Sequence, residues 1–191
     1  MTDSSSPTAD IDALAADIAS ADHVAALTGA GVSTASGLPS FRGEDGIWGT
    51  EFDPADFQYS RFRSDPAGFW ADRIELHERM YGDGIEPNAA HDALAALQSL
   101  GALDGLITQN VDGLHAAAGA DAVLELHGNA QRAACQSCGR RLDSASVYER
   151  ARDGEIPPRC EECSGVLKPD VVLFGQSLPD GIHQQAQHHA R

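Results

Sequence analysis

Apolar positions along the chain alternate between helix-like and strand-like spacing. Ile11, Leu14, Ala15 and Ile18 recur at i, i+3, i+4 and i+7, one face of a helix, and Asp10 can cap its start. HVAALT (23–28) is a short apolar run that predicts a buried strand, and it runs straight into the glycine-rich loop GAGVSTASGLPSFRG (29–43). Asp65-Pro66 predicts the start of a second helix carrying Phe69, Trp70, Ile74 and Met80, with proline at the tolerated first position. Asn88 caps a third helix that stops at Gly101. LDGLIT (103–108), AVLEL (122–126) and DVVLF (170–174) predict three further strands. They exit into QNVDGLH (109–115), His127-Gly128 and Gly175. Residues 1–9 read as a loose tail, and GIHQQAQHHAR as a short helical or frayed end. Strands alternating with helices predict an α/β fold with a mostly parallel sheet, in which ligands gather at the carboxyl ends of the strands.

Charge and composition narrow the classes. The chain has 191 residues, about one domain. It carries 13 basic and 29 acidic residues, for a formal charge of −16. Nineteen of the acids are Asp, twelve of the bases are Arg, and Lys168 is the single lysine. Such a chain has no general basic field for nucleic acid or anionic membrane. With 42% hydrophobic residues it is not a disordered acidic tail either. Aspartate richness with almost no lysine suits a protein dissolved in concentrated salt, where screening makes self-repulsion tolerable. A salt-loving cytoplasm is the expected location. No run of about 18 apolar residues predicts a membrane helix, and the polar, acidic start is wrong for a signal peptide.

Five segments carry chemistry. Gly29 and Gly31 could let a phosphate approach the backbone closely, although a plain tight turn uses the same residues. In the same loop Phe41 and Arg42 offer an aromatic face and a guanidinium, and Ser33, Ser36 and Ser40 add hydroxyls. Gln109, Asn110 and Asp112 directly follow a strand; they could read an amide and a ribose, or form a polar turn. His127 at a strand end is a candidate general base. His91 and His115 fall in helical stretches and read as structural. Cys135-x-x-Cys138 and Cys160-x-x-Cys163 are 21 residues apart. Two such pairs suit one tetrahedral zinc in a closed, structural site, with iron as the alternative occupant. Thioredoxin-like redox chemistry needs only one pair. His183, His188 and His189 read as a solvated tail. KPDVVLFG (168–175) is, by itself, a buried strand with a glycine exit.

Taken together and in order, these segments resemble the sirtuin family of NAD-dependent protein deacylases. The resemblance rests on GAGVSTASGLPSFRGEDGIW (29–48), PNAAH (87–91), TQNVDGLH (108–115), ELHG (125–128), the two CxxC pairs and KPDVVLFG, spread over residues 22–180. It implies a Rossmann-like parallel sheet for NAD with a small inserted zinc-ribbon module. The expected division is a tail at 1–9, an NAD-binding domain at 10–128 and 168–191, and a zinc module at 129–167. It implies that the acyl oxygen of a lysine amide attacks the nicotinamide ribose, nicotinamide leaves, and O-acyl-ADP-ribose is released. By this resemblance His127 is the base, with Asn110 and Asp112 also catalytic. Gly29, Ala30, Gly31, Ser33, Phe41, Arg42, Gln109, Asn110 and Asp112 bind NAD. Val172, Phe174 and Gly175 pair with the acyl-lysine peptide as an added strand. Cys135, Cys138, Cys160 and Cys163 hold zinc.

Three departures from the family pattern stand out. Gln176 replaces the usual Glu. Trp70 and Arg73 occupy the spacing where acidic-acyl members have Tyr and Arg, which favours acetyl or another neutral acyl group. The chain ends at Arg191, where a typical member continues with further strands toward the adenosine half of NAD. Strand 170–174 is then expected to be an unpaired apolar edge. The expected function is NAD-dependent lysine deacetylation, weakened or lost if the sheet is incomplete. The alternative is a catalytically dead fragment that keeps its zinc module and a partner surface.

Overall fold

The computed structural model describes residues 7–41, 46–82 and 84–190. Its frame is a parallel sheet of β1 (Ala25–Thr28), β2 (Gly105–Thr108) and β3 (Leu124–Glu125) in the order β1-β2-β3. Ala25 pairs with Gly105 and Ile107 with Leu124. All four residues of β2 are buried, as expected for a central strand covered on both faces. Around it Leu103, Leu106, Ala95 and Ala120 form a small core that includes the inner face of α4 (Ala89–Ser99).

Helix starts follow their caps. The Asp65 carboxylate accepts the Gly68 amide at 3.0 Å and opens α3 (Pro66–Tyr81) just before Pro66. Asn88 caps α4 by accepting the Ala90 amide at 2.9 Å. α1 (Pro7–Ser20) begins three residues before the expected start at Asp10. Its expected buried face is not buried: Ile11 and Leu14 are 65% and 60% exposed.

A second, antiparallel sheet holds the cysteine segment. It consists of β4 (Gly128–Cys135), β5 (Arg141–Asp143) and β6 (Leu167–Val171) in the order β5-β4-β6. Here the expected fourth parallel strand at 170–174 is corrected. The strand starts at Leu167 and pairs antiparallel with β4 instead. Pro169 and Lys168 hide it in the sequence. Proline is tolerated because β6 is an edge strand. Lys168 is buried because its ammonium donates to the Pro169 carbonyl at 2.9 Å and to the Val171 carbonyl. Nor is the following stretch an unpaired edge. The Val172 amide donates to the His127 carbonyl at 2.8 Å, and the Phe174 carbonyl accepts the Tyr59 amide at 2.9 Å.

α2 (Tyr59–Ser64), α3 and α6 (Ser144–Arg152) pack with this sheet around a large core centred on Phe69, Trp70, Tyr148 and Leu167. α5 (Leu114–Ala117) follows the 109–113 loop, and α7 (Ile182–His189) closes the described chain. No helix among the described residues is long and apolar enough to cross a membrane.

Asn88 does more than cap. Its amide nitrogen also donates to the Val32 carbonyl and Ser36 Oγ, both at 2.9 Å, and so pins the glycine loop. Asn88→Ala is expected to lower the unfolding free energy by about 2 kcal/mol, the upper range for a lost cap, in urea titrations followed by circular dichroism.

Candidate active site

The glycine loop leaves β1 as a short 3₁₀ turn, Ala30–Ser36, and ends at Gly37 with φ +92°, a left-handed position that favours glycine. Gly29 and Gly31 have ordinary φ values, so their role is space. A Cβ built on either meets nothing within 4 Å. Gly31 borders an open cavity of about 680 Å³. A nucleotide would occupy that kind of room.

The cavity collects most of the residues singled out in the sequence. Ala30, Gly31 and Phe41 line one side, and Gln109, Asn110 and His127 line the sheet end. Val172, Phe174 and Gly175 line the third side. Gly29, Ser33 and Asp112 do not line this cavity; Gly29 is tied to it by its carbonyl, which accepts from Asn110 Nδ2. Ser33, Asn110 and Asp112 border a smaller adjoining pocket with Phe41. Arg42 lies outside the described residues.

Hydrogen bonds fix the polar atoms behind the cavity. The Asn88 amide donates to His91 Nδ1 at 3.2 Å, so Nε2 carries that ring's proton. Nε2 faces Ser33 Oγ at 3.3 Å, and Ser33 Oγ donates to Asp112 Oδ2 at 2.8 Å. Asp112 Oδ1 accepts the Leu114 amide at 2.9 Å. Asn110 Nδ2 donates to Ser33 Oγ at 3.0 Å and to the Gly29 carbonyl at 3.2 Å. One buried network therefore ties the glycine loop to the Asn110–Asp112 turn. His115 lies beside it, with its ring 4.8 Å from that of His91 and Nε2 2.8 Å from Thr28 Oγ1. Burial holds both imidazoles below their usual pKa. Their structural reading in the sequence agrees with this placement.

His127 is held differently. Its Nδ1 is 2.9 Å from the Gln109 carbonyl oxygen, which can only accept. Nδ1 is thus the protonated nitrogen of the neutral ring. Nε2 keeps its lone pair, the form a general base needs. Gln176, the departure after Phe174-Gly175, closes a turn on Leu173. Its Oε1 accepts the Leu173 amide at 3.1 Å, a bond that a carboxylate oxygen would make equally well.

The opposite wall comes from α3, of which the sequence had singled out Arg73, as a position bearing on acyl preference, but not Leu76, His77, Met80 or Tyr81. Arg73, Leu76, His77, Met80 and Tyr81 face the cavity at helical spacing, the same pattern as ordinary core packing. Arg73 Nε donates to Tyr148 Oη at 2.8 Å. Burial, and then the charges of Arg73 and Arg152, push His77 down from 6.5 to about 4. Trp70 is fully buried and donates from Nε1 to the Leu167 carbonyl at 2.8 Å.

The four cysteines converge. Their sulfurs lie within 4.8 Å of one another, with Cys135–Cys163 at 3.4 Å and Cys138–Cys160 at 3.8 Å. Zinc–sulfur bonds of about 2.3 Å in a tetrahedron set sulfurs about 3.8 Å apart, so the set fits one zinc ion. The backbone amides of Cys138 and then Ser137 lower the Cys135 thiol, while the neighbouring cysteine sulfurs raise the Cys163 thiol. Among the described residues this is the one cluster with such geometry. His183, His188 and His189 on α7 take no part in it.

An α/β frame, a roomy glycine loop, an amide-and-acid turn, an oriented imidazole and a four-thiol module describe a nucleotide-using enzyme with a structural metal. Residues 29–191 match the Sir2 family, and the chain belongs to that family. It is 57% identical over 183 residues to an NAD-dependent protein deacetylase of Haloarcula marismortui, covering 95% of this chain and 70% of that one. It is 46% identical over 167 residues to an NAD-dependent protein deacetylase of Sulfolobus acidocaldarius, covering 87% and 64%. The chain thus spans roughly two thirds of the length of these relatives. A solved structure of a Sir2–p53 peptide–NAD+ complex superposes with a TM-score of 0.76 at 30% identity, over 94% of this chain and 71% of that one.

The depressed His77 gives a pH prediction. Between about 4 and 6.5 the unfolded chain binds a proton there that the folded chain does not. Stability therefore falls as pH is lowered through that window. His91 and His115 act in the same direction. His77→Phe is expected to flatten, without abolishing, the fall of the urea midpoint between pH 6.5 and 4. An unchanged slope would show that His77 is solvated.

Proposed function

We propose that this chain removes acetyl groups from protein lysines at the expense of NAD, in a salt-rich cytoplasm. The observation that carries the reading is the meeting of His127, Asn110 and the Val172–Gly175 segment around one cavity. When bound, NAD supplies an electrophilic ribose carbon and nicotinamide as leaving group. Gly29, Ala30, Gly31, Ser33, Phe41, Arg42 and Gln109 would hold it, with Asn110 and Asp112 at the nicotinamide and its ribose. The buried Asp112–Ser33–Asn110 network keeps these groups fixed before any ligand arrives, which lowers the cost of ordering them.

His127 Nε2 would accept the proton of a ribose hydroxyl while Nδ1–H stays on the Gln109 carbonyl, so the ring need not turn as its charge changes. Val172, Phe174 and Gly175 lie along the peptide as an added strand. Trp48, Phe57, Leu76 and Met80 would exclude water from the acyl chain, which suits a neutral group, with the Arg73 guanidinium turned to Tyr148 on the same wall. In this reading residues 10–128 and 168–191 serve NAD, and 129–167 form the zinc module. The charge of −16 and the Haloarcula relative support a saline setting.

Nicotinamide release from NAD is the test, with an acetyl-lysine peptide in concentrated potassium chloride. Release is expected from the wild type, falling by about a hundredfold or more in His127→Ala. No release from folded, zinc-loaded protein would overturn the reading in favour of a silent sirtuin fragment with a partner-binding metal module.

A further inference from the structure

The metal module and the cavity share a single hydrophobic core. Its buried members include Cys135 and Cys160, Tyr148 of α6, Leu167 of β6, and Leu76 and Met80 of the cavity wall. The core at the parallel sheet is separate. The cysteine segment is therefore packed into the substrate side of the molecule.

Tyr148 is where the two meet. It is 1% exposed. Its ring lies 3.7 Å from that of His77 and 5.4 Å, edge-on, from Trp70. Its hydroxyl is the acceptor for Arg73 Nε at 2.8 Å. Trp70, Arg73 and His77 are spaced i, i+3, i+7 on α3, so one side chain from the module covers that face. Trp70 Nε1 ties the same face to β6 through the Leu167 carbonyl. Arg73 and His77 also border the cavity, while β6 runs on into Val172 and Phe174 of the wall across from them. These two walls of the cavity pack against the module. Arg73 is 8% exposed and has no carboxylate partner among the described residues, so its direction depends on the Tyr148 oxygen.

Resting on the deacylase reading, we propose that Tyr148 is a positioning residue that couples metal occupancy to acyl-peptide affinity. The loaded module sets the shape of the acyl-peptide cavity, and a bound peptide in turn slows loss of the metal. Metal bound by the four thiolates adds ordering free energy to its segment, so the loaded state holds Tyr148 of α6 more firmly against α3. Coupling between two binding events is reciprocal by necessity. The peptide must therefore retain the metal by the same factor that the metal improves the peptide's binding.

The experiment follows metal release from the holoprotein into excess EDTA with a chromophoric zinc reporter, with and without saturating acetyl-lysine peptide. Tyr148→Phe keeps the ring and removes the acceptor for Arg73. In the wild type the peptide is expected to slow release about tenfold, and in Tyr148→Phe most of that protection disappears. In parallel the peptide KM rises about tenfold in the variant, while kcat and the KM for NAD stay within about twofold. Absence of protection in the wild type, equal protection in both proteins, or an unchanged peptide KM overturns the proposal. If Tyr148→Phe does not fold with metal, Arg73→Met removes the donor of the same bond from the other side and is expected to lose the protection likewise. Failure of the deacylase reading looks different: neither protein releases nicotinamide, and the metal-release arm still decides the coupling.

Discussion

Gly128 stands where no side chain fits. A Cβ there would lie 2.0 Å from the Asp170 carbonyl oxygen, and φ is +79°. At this point β4 and β6 cross at backbone distance, and three parts of the molecule are joined within a few residues. Leu126 donates to the Thr108 carbonyl at 2.9 Å and holds the end of the parallel sheet. The His127 carbonyl takes the Val172 amide at 2.8 Å, while its ring hangs from Gln109 at 2.9 Å. One step further the antiparallel sheet of the cysteine module begins. The proposed base, the proposed peptide-binding strand and the proposed NAD turn keep their relative positions because the backbone fixes them here. Any larger residue must push β6 aside and move the cavity wall with it.

Behind the cavity, a buried polar network does a second kind of fixing. Asn88, His91, Ser33, Asp112 and Asn110 form one chain of hydrogen bonds in which every described donor finds an acceptor. Isolated, a buried carboxylate such as Asp112 would be costly; here a hydroxyl and a backbone amide satisfy it. The arrangement makes the loop after β1 and the loop after β2 a single rigid unit. The PNAAH segment takes part through Asn88 and His91, which tie it to the glycine loop.

Much of this was legible in the sequence because function here sits at strand ends. The apolar runs of β1, β2 and β3 and the caps Asp65 and Asn88 are local signals, and they mark where the polar residues must emerge. The cysteine pairs carry their geometry in their spacing. Other parts were not legible. β6 looked like part of the parallel sheet, since a proline and a lysine concealed its start and its partner β4 is set by tertiary pairing, from Cys135–Leu167 to the crossing at Gly128. The apolar stripe of α1 proved exposed, because periodicity says which residues share a face and not whether anything covers it. Apart from Arg73, the α3 wall read as core. Tyr148 lies 75 residues from Arg73, and its role comes wholly from tertiary packing.

The account turns on where the acyl group goes. Mass spectrometry of the small-molecule products, with an acetyl-lysine peptide and NAD in concentrated potassium chloride, follows that directly. The account predicts acetylated ADP-ribose in equal amount to the nicotinamide and to the freed lysine peptide. Free acetate formed without consumption of NAD, or ADP-ribose released while the peptide stays acetylated, would contradict it.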